Sequence, residues 1–335
     1  MRRRMAPVRR YDPLITVEHL TKRYGSFTAV DDLSFTIGEG HVYGFLGPNG
    51  AGKSTTMNMM TGCLSATEGH VKIDGFDIFE EPMEARRRIG YLPEQPPLYL
   101  GETPEEYLRF VGEAKGLRGG ELETQIDEVI EVTRLEPMRH RVIRALSKGY
   151  RQRVGIAQAL LGNPEVVILD EPTVGLDPIQ ILEIRELIRS LGERHTVILS
   201  SHILSEVQAM CDRILIIAHG RLIAFDTPEN LEKLLTTPGE LILVADLPEE
   251  RFRAILAEVP GVTDVACTAD GSRLTGTVRA EGEDLYALSR AVFLAFAAAG
   301  EPLLEMRVKK ADLEEIFLEL TEADPISIEE RRQEA

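Results

Sequence analysis

The stretch that most limits what this chain can fold into is residues 46–56, which read LGPNGAGKSTT and contain the pattern Gly-x4-Gly-Lys-Ser. The apolar segment before it, Val42–Leu46, is typical of a buried strand. The segment after it, residues 55–61, is rich in Met and lacks Gly and Pro, so it can begin a helix. A Gly-rich loop between a strand and a helix is the setting that a phosphate-binding P-loop requires, and we therefore predict a nucleotide site.

The residue types in this loop suit phosphate chemistry. Glycines allow successive backbone N–H groups to turn towards phosphate oxygens, and the positive end of the following helix faces the same anion. The Lys53 ammonium suits the β- and γ-phosphates, and the Ser54 hydroxyl suits Mg2+. A Gly-rich turn without a ligand is the alternative, but it leaves the complete motif unexplained. The predicted nucleotide-binding residues of the loop are Gly47, Pro48, Asn49, Gly50, Ala51, Gly52, Lys53, Ser54 and Thr55.

Length and charge narrow the class of protein. A chain of 335 residues favours two domains, because a single core of that size is uncommon. The formal net charge of −17 argues against a nucleic-acid groove, so no nucleic-acid partner is expected. The exception is the basic stretch 1–13, which we interpret as a disordered tail, with a basic arm near anionic lipid as the alternative.

The cysteines and the hydropathy point to a soluble chain of the cytoplasm. Cys63, Cys211 and Cys267 are far apart and show no metal-binding spacing, which is typical of reduced thiols. No apolar run approaches the roughly 18–20 residues of a membrane-spanning helix. Any role at a membrane is therefore expected to come through a partner.

Polar residues follow two of the apolar strands that the sequence predicts. Val166–Leu169 is followed by Asp170 and Glu171, and residues 196–199 are followed by Ser200-Ser201-His202. Adjacent carboxylates at the end of a buried strand need partners, which favours a functional role for both. The carboxyl ends of strands are also where α/β sheets place ligands. Position alone leaves His202 evenly balanced between a turn residue and a functional one.

Two further features have both an ordinary and a functional interpretation. Tyr24 lies in a polar turn shortly before the P-loop, where its ring can either pack locally or stack on an adenine. Ser147 is placed to cap the helix that follows, with Gly149 in its first turn. A helix start with a free N–H and a hydroxyl can also bind an anion.

Together, in this order, these motifs resemble the ATP-binding subunit of an ATP-binding cassette (ABC) transporter over about residues 14–235. The Walker A motif corresponds to residues 47–55 and the Walker B strand ends at Asp170-Glu171. The signature motif corresponds to residues 146–150, the D-loop to residues 175–177, and the switch histidine to His202. The resemblance implies a P-loop ATPase domain of the α/β class, with a mixed sheet and a helical subdomain. It also favours the functional interpretations of Tyr24 and His202.

The chain departs from the usual pattern of the family in two places. The signature is usually Leu-Ser-Gly-Gly-Gln, whereas here Lys148 and Tyr150 replace a Gly and the Gln. This variant resembles single-cassette exporter ATPases of the drug-resistance, gliding-motility and polysaccharide-export type. The Q-loop position holds Glu94, with Gln95 one residue later, and either side chain could reach Mg2+ or water.

The resemblance implies ATP hydrolysis with Mg2+ in a head-to-tail homodimer. Ser54 and Asp170, with Glu94 as a further candidate, would hold the metal, and Lys53 would hold the phosphates. Glu171 would be the general base and His202 would hold the attacking water in line. In this family a second copy completes the site with its signature motif. The residues implied there are Ser147, Lys148, Gly149 and Tyr150, together with Asp177 of the D-loop.

The organisation predicted for the chain is a tail at 1–13, a cassette at 14–236 and an accessory domain at 240–321, followed by a charged tail at 322–335. The helical subdomain is expected at about 95–160. The accessory domain reads βαββαβ, the order of a ferredoxin-like split βαβ unit. Dimer contact, regulation and simple stabilisation are its three possible roles.

Three functional classes compete at this point. The favoured one is an exporter ATPase that pairs with integral membrane permease subunits and lies peripherally on the cytoplasmic face of the cell membrane. The second is a soluble ABC ATPase of DNA repair or ribosome function, although the long insertion or second cassette typical of that class is absent. The third is another P-loop enzyme, such as a GTPase or kinase, which would leave the signature residues unexplained.

Overall fold

The computed structural model describes residues 13–234, 240–270, 273–280 and 285–309. It divides into two compact units, and the division falls after Pro228, earlier in the chain than the 236–240 boundary expected from the sequence. The predicted N-terminal tail up to residue 12, the end of the predicted accessory domain at 310–321 and the charged tail at 322–335 lie outside the described residues. In the described part of the chain, no helix combines the length and apolar character needed to cross a membrane.

The first unit alternates strands with helices along most of its length. Its strands are β1 (Ile15–Tyr24), β2 (Phe27–Ile37), β3 (Val42–Leu46), β4 (Glu68–Ile73), β5 (Phe76–Asp77), β6 (Ile89–Leu92), β7 (Val166–Leu169), β8 (Thr196–Ser201), β9 (Arg213–Ala218) and β10 (Arg221–Asp226). Its helices are α1 (Lys53–Met60), α2 (Pro82–Arg87), α3 (Pro104–Ala114), α4 (Gly119–Val132), α5 (Lys148–Leu160), α6 (Pro178–Gly192) and α7 (Leu204–Met210). Helix α8 (Pro228–Leu234) begins at the division between the units.

A six-stranded sheet forms the centre of this unit, in the order β10-β9-β3-β8-β7-β6. Every strand from β9 to β6 runs parallel to its neighbour, and β10 is antiparallel. All residues of β3, β7 and β8 are buried, as expected of parallel strands covered on both faces. In the register, Leu46 lies opposite Ser201 and Leu169 opposite Leu199, so the three strands end at the same edge.

A second, antiparallel sheet has the order β2-β1-β4-β5 and packs against the first. The two sheets share one hydrophobic core. In it, the rings of Phe35 on β2 and Phe45 on β3 pack edge to face, with their centres 5.5 Å apart. Tyr24, the last residue of β1, pairs with Phe27, the first residue of β2, across the turn that joins these strands.

Helices α3, α4 and α5 are inserted between β6 and β7, within the 95–160 range expected for the helical subdomain. Thr103 caps α3 and Glu106 completes the capping box, which satisfies donors at the helix start. The Lys115 ammonium donates hydrogen bonds to the carbonyls of Gln158, Ala159 and Leu161 at the end of α5. The cap thus fixes the start of α3, and Lys115 joins the end of α3 to the end of α5.

The second unit is a sheet covered by two helices on one face. Its elements are β11 (Glu240–Ala245), α9 (Glu249–Ala257), β12 (Val262–Asp270), β13 (Arg273–Ala280), α10 (Leu285–Ala299) and β14 (Leu303–Lys309). The strand order β12-β13-β11-β14, with every pair antiparallel, is that of the predicted split βαβ unit. The core lies between the sheet and the helices. Within it, the ring centres of Phe252 on α9 and Phe296 on α10 are 5.5 Å apart.

Phe252 also explains a glycine in the sheet. A Cβ at Gly276 on β13 would lie 2.3 Å from the Phe252 ring, so only glycine leaves room for this aromatic side chain. The ring is fully buried, whereas Phe293 on α10 is 56% exposed.

We expect Phe252→Ala to destabilise the second unit by about 3–5 kcal/mol, because it removes a buried ring and leaves a cavity. Phe293→Ala is the matched control and should change stability far less, since its ring is largely in water. Hydrogen exchange of β11 and β13 under native conditions, together with urea unfolding, measures both. Equal effects of the two substitutions would contradict this packing.

Candidate functional site

The common edge at which β3, β7 and β8 end opens into a cleft of about 520 Å3, within the size range of small-molecule sites. The P-loop follows β3, Glu171 is the second residue after β7, and His202 directly follows β8. The cleft is lined by Tyr24, Phe27, Ala29, Asn49, Gly50, Gly52, Lys53, Ser54, Thr55, Glu94, Glu171, Val174 and His202. The fold thus brings together ten of the residues predicted from the sequence, from five separate chain segments.

The P-loop packs closely against β9. A Cβ at Gly47 would lie 2.3 Å from the carbonyl oxygen of Ile217 on β9, so the close approach of the two segments requires glycine. Gly52 has φ +103°, in the left-handed region that favours glycine, and it caps α1. Helix α1 has no acidic residue in its first turn, so its positive end is available to an anion.

Lys53 is held under the loop and is almost fully buried. Its Nζ donates hydrogen bonds to the carbonyl oxygens of Gly47, at 2.8 Å, and Pro48, at 3.3 Å. It also lies 3.6 Å from Glu171 Oε1. A buried ammonium fixed by carbonyls and one carboxylate has a defined position, which is what recognition of phosphate oxygens requires.

Asp170 lies behind the loop, where two serine hydroxyls meet its carboxylate. Ser54 Oγ donates to Asp170 Oδ1 at 3.1 Å, and Ser200 Oγ donates to the same oxygen at 2.6 Å. Hydroxyl and carboxylate oxygens are the ligands that Mg2+ prefers, so the donor set fits this ion. Among the described residues, no group of three or more His, Cys, Asp or Glu is placed to hold a metal.

Glu171 adopts an uncommon backbone conformation, with φ +47°. Such a conformation costs about 1–3 kcal/mol and persists where neighbouring contacts hold it. Here Ser200 Oγ accepts the hydrogen bond of the Glu171 N–H at 2.8 Å. The side chain is 9% exposed and lies between Lys53 and His202, whose Nδ1 donates to Oε2 at 3.0 Å. The predicted base therefore points into the cleft with both carboxylate oxygens in contact with a neighbour.

Two aromatic rings stand at the outer wall of the cleft. Tyr24 is 50% exposed and Phe27 is 62% exposed, and Lys22 Nζ lies 5.3 Å from the centre of the Tyr24 ring. Exposed aromatic faces next to the P-loop suit a flat base, and adenine stacking on Tyr24 stays a prediction. Phe27 was not predicted, although an aromatic residue so close to Tyr24 in the sequence was a usable signal.

The structure separates the two candidates for the Q-loop position. Both side chains are exposed, but Glu94 lines the cleft and Gln95 does not. Just before them, Tyr91 donates a hydrogen bond to Asn58 Oδ1 at 3.2 Å. Burial and, to a smaller extent, the charge of Asp170 raise the pKa of Tyr91 above its ordinary value, so this phenol remains a donor.

The signature residues and Asp177 do not line this cleft. They lie at the start of α5 and α6, where Ser147 caps α5 through the Tyr150 N–H and Asp177 caps α6 through the Gln180 N–H. Space around Gly149 is filled by Gln180, whose side chain is 2.8 Å from the position of a Cβ at Gly149. Lys148 Nζ occupies the space next to Gly175 in the same way. The signature and the D-loop therefore form one surface, and Ser147 is exposed on it.

Ser200 is the main contact residue that the sequence analysis missed. It joins Asp170 and Glu171, yet it lies near the end of an apolar strand whose last two residues are both Ser. A polar residue at the carboxyl end of a predicted parallel strand was the available signal. Val174, which also lines the cleft, had no such signal.

The sequence matches a family model described as ABC transporter over residues 30–174. Similar curated proteins include the linearmycin resistance ATP-binding protein LnrL of Bacillus subtilis (strain 168), which is 36% identical over 92% of this chain and 98% of its own length. Another is the Nod factor export ATP-binding protein I of Ralstonia nicotianae, which is 34% identical over 92% of this chain and 94% of its own. These names favour transport over the DNA-repair and ribosome alternative.

Among solved structures, a similar one is the dimeric, post-hydrolysis state of an ATP-binding cassette bound to ADP and Pi. Its TM-score is 0.58 at 28% identity, and the match covers 64% of this chain and 98% of that one. The fold class expected from the sequence, an ABC ATPase cassette, is thereby confirmed. Nucleotide binding is supported by the same similarities.

We expect Lys53→Ala to weaken ATP binding by about 10- to 100-fold, because it removes a charged donor worth about 1.5–3 kcal/mol. Lys72→Ala removes an exposed lysine from β4, outside the cleft, and serves as the control for the loss of one charge. Equilibrium binding of a fluorescent ATP analogue measures both variants. Unchanged affinity in Lys53→Ala would rule out the P-loop as the nucleotide site.

Proposed function

This chain belongs to the ABC transporter family as an ATP-binding subunit, and we propose that it hydrolyses ATP in the cleft at the end of β3, β7 and β8 to drive export through separate membrane-spanning subunits. The observation that carries the proposal is the contact of Glu171 with both Lys53 and His202 next to the P-loop. Phosphoryl transfer to water depends mainly on such positioning and on charge neutralisation.

In the proposed complex, the backbone N–H groups of residues 50–54 and the Lys53 ammonium bind the β- and γ-phosphates. Tyr24 stacks on the adenine, assisted by Phe27. Ser54 and Asp170 would hold Mg2+, with Glu94, the one of the two Q-loop candidates that lines the cleft, as a further candidate. Bound there, the ion neutralises phosphate charge.

Glu171 is the proposed general base. Its carboxylate takes a proton from the attacking water as the water oxygen forms a bond to the γ-phosphorus. The bond between that phosphorus and the bridging oxygen breaks, its electron pair remains on the β-phosphate, and ADP and phosphate result. His202, already hydrogen-bonded to Glu171, holds the water and the γ-phosphate in line. The buried setting of Glu171 and Lys53 strengthens these electrostatic contacts.

The other half of the site comes, in this proposal, from a second copy of the chain. Ser147 and Gly149 lie at the start of α5, whose first turn contains no acidic residue, so this helix end suits an anion. Because they lie outside the cleft of their own chain, we assign them to the γ-phosphate bound by the partner. Two ATP molecules would then close a head-to-tail homodimer, and hydrolysis would remove the contacts that hold it closed.

An exposed aromatic patch offers a surface for a membrane subunit. Tyr99, Leu100 and Phe110 are each about half exposed, and the rings of Tyr99 and Phe110 are 5.0 Å apart. This patch follows the Q-loop, in the region that receives a cytosolic helix of the membrane subunit in this family. The proposed location is accordingly the cytoplasmic face of the cell membrane. The names of the relatives support export, and the substrate is determined by the membrane subunits.

We expect Glu171→Gln to bind ATP with nearly unchanged affinity, to lose about 100-fold or more in turnover and to accumulate an ATP-bound dimer. The amide keeps the shape of the side chain but cannot accept the proton. Glu165→Gln, just before β7 and exposed, is the matched control and should retain full turnover. Phosphate release and size-exclusion chromatography with ATP provide the readouts, and full turnover in Glu171→Gln would exclude it as the base.

We expect the chain purified from membranes in mild detergent to bring an integral membrane protein with it. Phe110→Ser should reduce that recovery strongly, because it removes half-exposed apolar surface from the patch. Val132→Ser changes an exposed apolar residue on α4 outside the patch and should retain the partner. Recovery of ribosomes or DNA in place of a membrane protein would contradict the proposed export function.

A further inference from the structure

Glu206 is a buried carboxylate that the proposed hydrolysis steps do not use. It lies on α7, four residues after His202, and only 3% of its surface is exposed. An ionised carboxylate is costly to bury without charged or hydrogen-bonding partners. Its contacts therefore identify the chain segments that this buried carboxylate joins.

Three side chains surround this carboxylate. Thr173 Oγ1 donates a hydrogen bond to Oε2 at 2.5 Å, and Ser201 Oγ lies 3.4 Å from the same oxygen. The Arg185 guanidinium of α6 lies 3.8 Å from Oε1. Thr173 and Ser201 are themselves almost fully buried, so water does not compete for these hydroxyls.

The two hydroxyl donors lie within two residues of the proposed catalytic pair, Glu171 and His202. Thr173 lies two residues after Glu171, and Ser201 directly precedes His202. The Glu206 carboxylate thus joins the segment after β7 to the end of β8. The same two segments also meet through the side chains of Glu171 and His202, where Oε2 and Nδ1 are 3.0 Å apart. Ser201 Oγ also accepts the Ile203 N–H, which fixes the chain on the far side of His202.

We propose that Glu206, through Thr173 and Ser201, is a positioning residue that holds Glu171 and His202 in register for hydrolysis. The inference rests on the proposed roles of those two residues. It assigns Glu206 no contact with nucleotide, because neither Glu206 nor Thr173 lines the cleft. Loosening this link shifts the base relative to the histidine, and shifts of about 1 Å in such sites can cost 100-fold in rate.

Thr173→Val tests the link with the least disturbance. Valine keeps the shape of threonine and removes only the donor, while Glu206 keeps its contacts with Ser201 and Arg185. We expect kcat to fall by about 10-fold or more with KM within about twofold. Thr173→Ser keeps the hydroxyl and should restore kcat to within about twofold of the unsubstituted chain.

A matched control separates this effect from the general loss of a buried hydroxyl. Thr133 is fully buried at the end of α4, and its hydroxyl donates to the Val129 carbonyl. Thr133→Val therefore makes the same chemical change outside the cleft and should leave kcat unchanged. Thermal unfolding of all variants identifies any that fail to fold.

A second pair of variants changes Glu206 itself. Glu206→Gln keeps an acceptor for both hydroxyls and should therefore retain more activity than Glu206→Met.

A second test asks whether the loss of kcat in Thr173→Val requires His202. If Thr173 acts by keeping Glu171 in register with the histidine, Thr173→Val should lower kcat by only about threefold or less in a His202→Ala background. The proposal is overturned if Thr173→Val retains kcat within about twofold, if Thr173→Ser loses as much as Thr173→Val, or if the full loss recurs without His202. Failure of the proposed function is distinguishable, because it would appear as full turnover in Glu171→Gln.

Discussion

The contact between the Lys53 ammonium and the Glu171 carboxylate, at 3.6 Å and largely shielded from water, joins the two halves of the cleft. Each charge is buried, so each depends on the other and on its own hydrogen bonds. Lys53 is held by carbonyls of the P-loop and Glu171 by Ser200 and His202. A chain that buries these groups must therefore form the loop and both strand ends together, and the same contacts orient the groups proposed to act on phosphate and water.

The parallel sheet supplies the rigid frame for that contact. Because β3, β7 and β8 are buried on both faces and lie side by side, their ends are fixed relative to one another. The polar residues that follow them have little freedom to move apart. The helical insertion leaves the sheet after β6 and returns at β7, its parallel neighbour, so it places the signature residues on a separate surface without disturbing the edge of the sheet.

The sequence sufficed for the features that depend on local pattern. The P-loop, the acidic end of β7 and the βαββαβ order of the second unit follow from spacing and periodicity, and the strand order agrees with them. The role of His202 was favoured only by the resemblance to the family. The contacts of Ser200 with Asp170 and Glu171, and of Thr173 with Glu206, did not follow, because each of them joins residues at least 29 positions apart in sequence. A Ser, Thr or Glu in a helix or at a strand end is ordinary until its partner is known.

Helix α6 connects the two surfaces that the sequence treated as separate motifs. Near its start, Gln180 fills the space beside Gly149 of the signature, and further along Arg185 faces the Glu206 carboxylate. A helix is stiff over this distance, so a displacement of its first turn also displaces the guanidinium. A displacement of the signature surface would therefore reach the network that is proposed to hold Glu171 and His202. In the proposed head-to-tail dimer, this geometry would link the nucleotide bound by the partner to the alignment of the proposed base in the chain's own cleft.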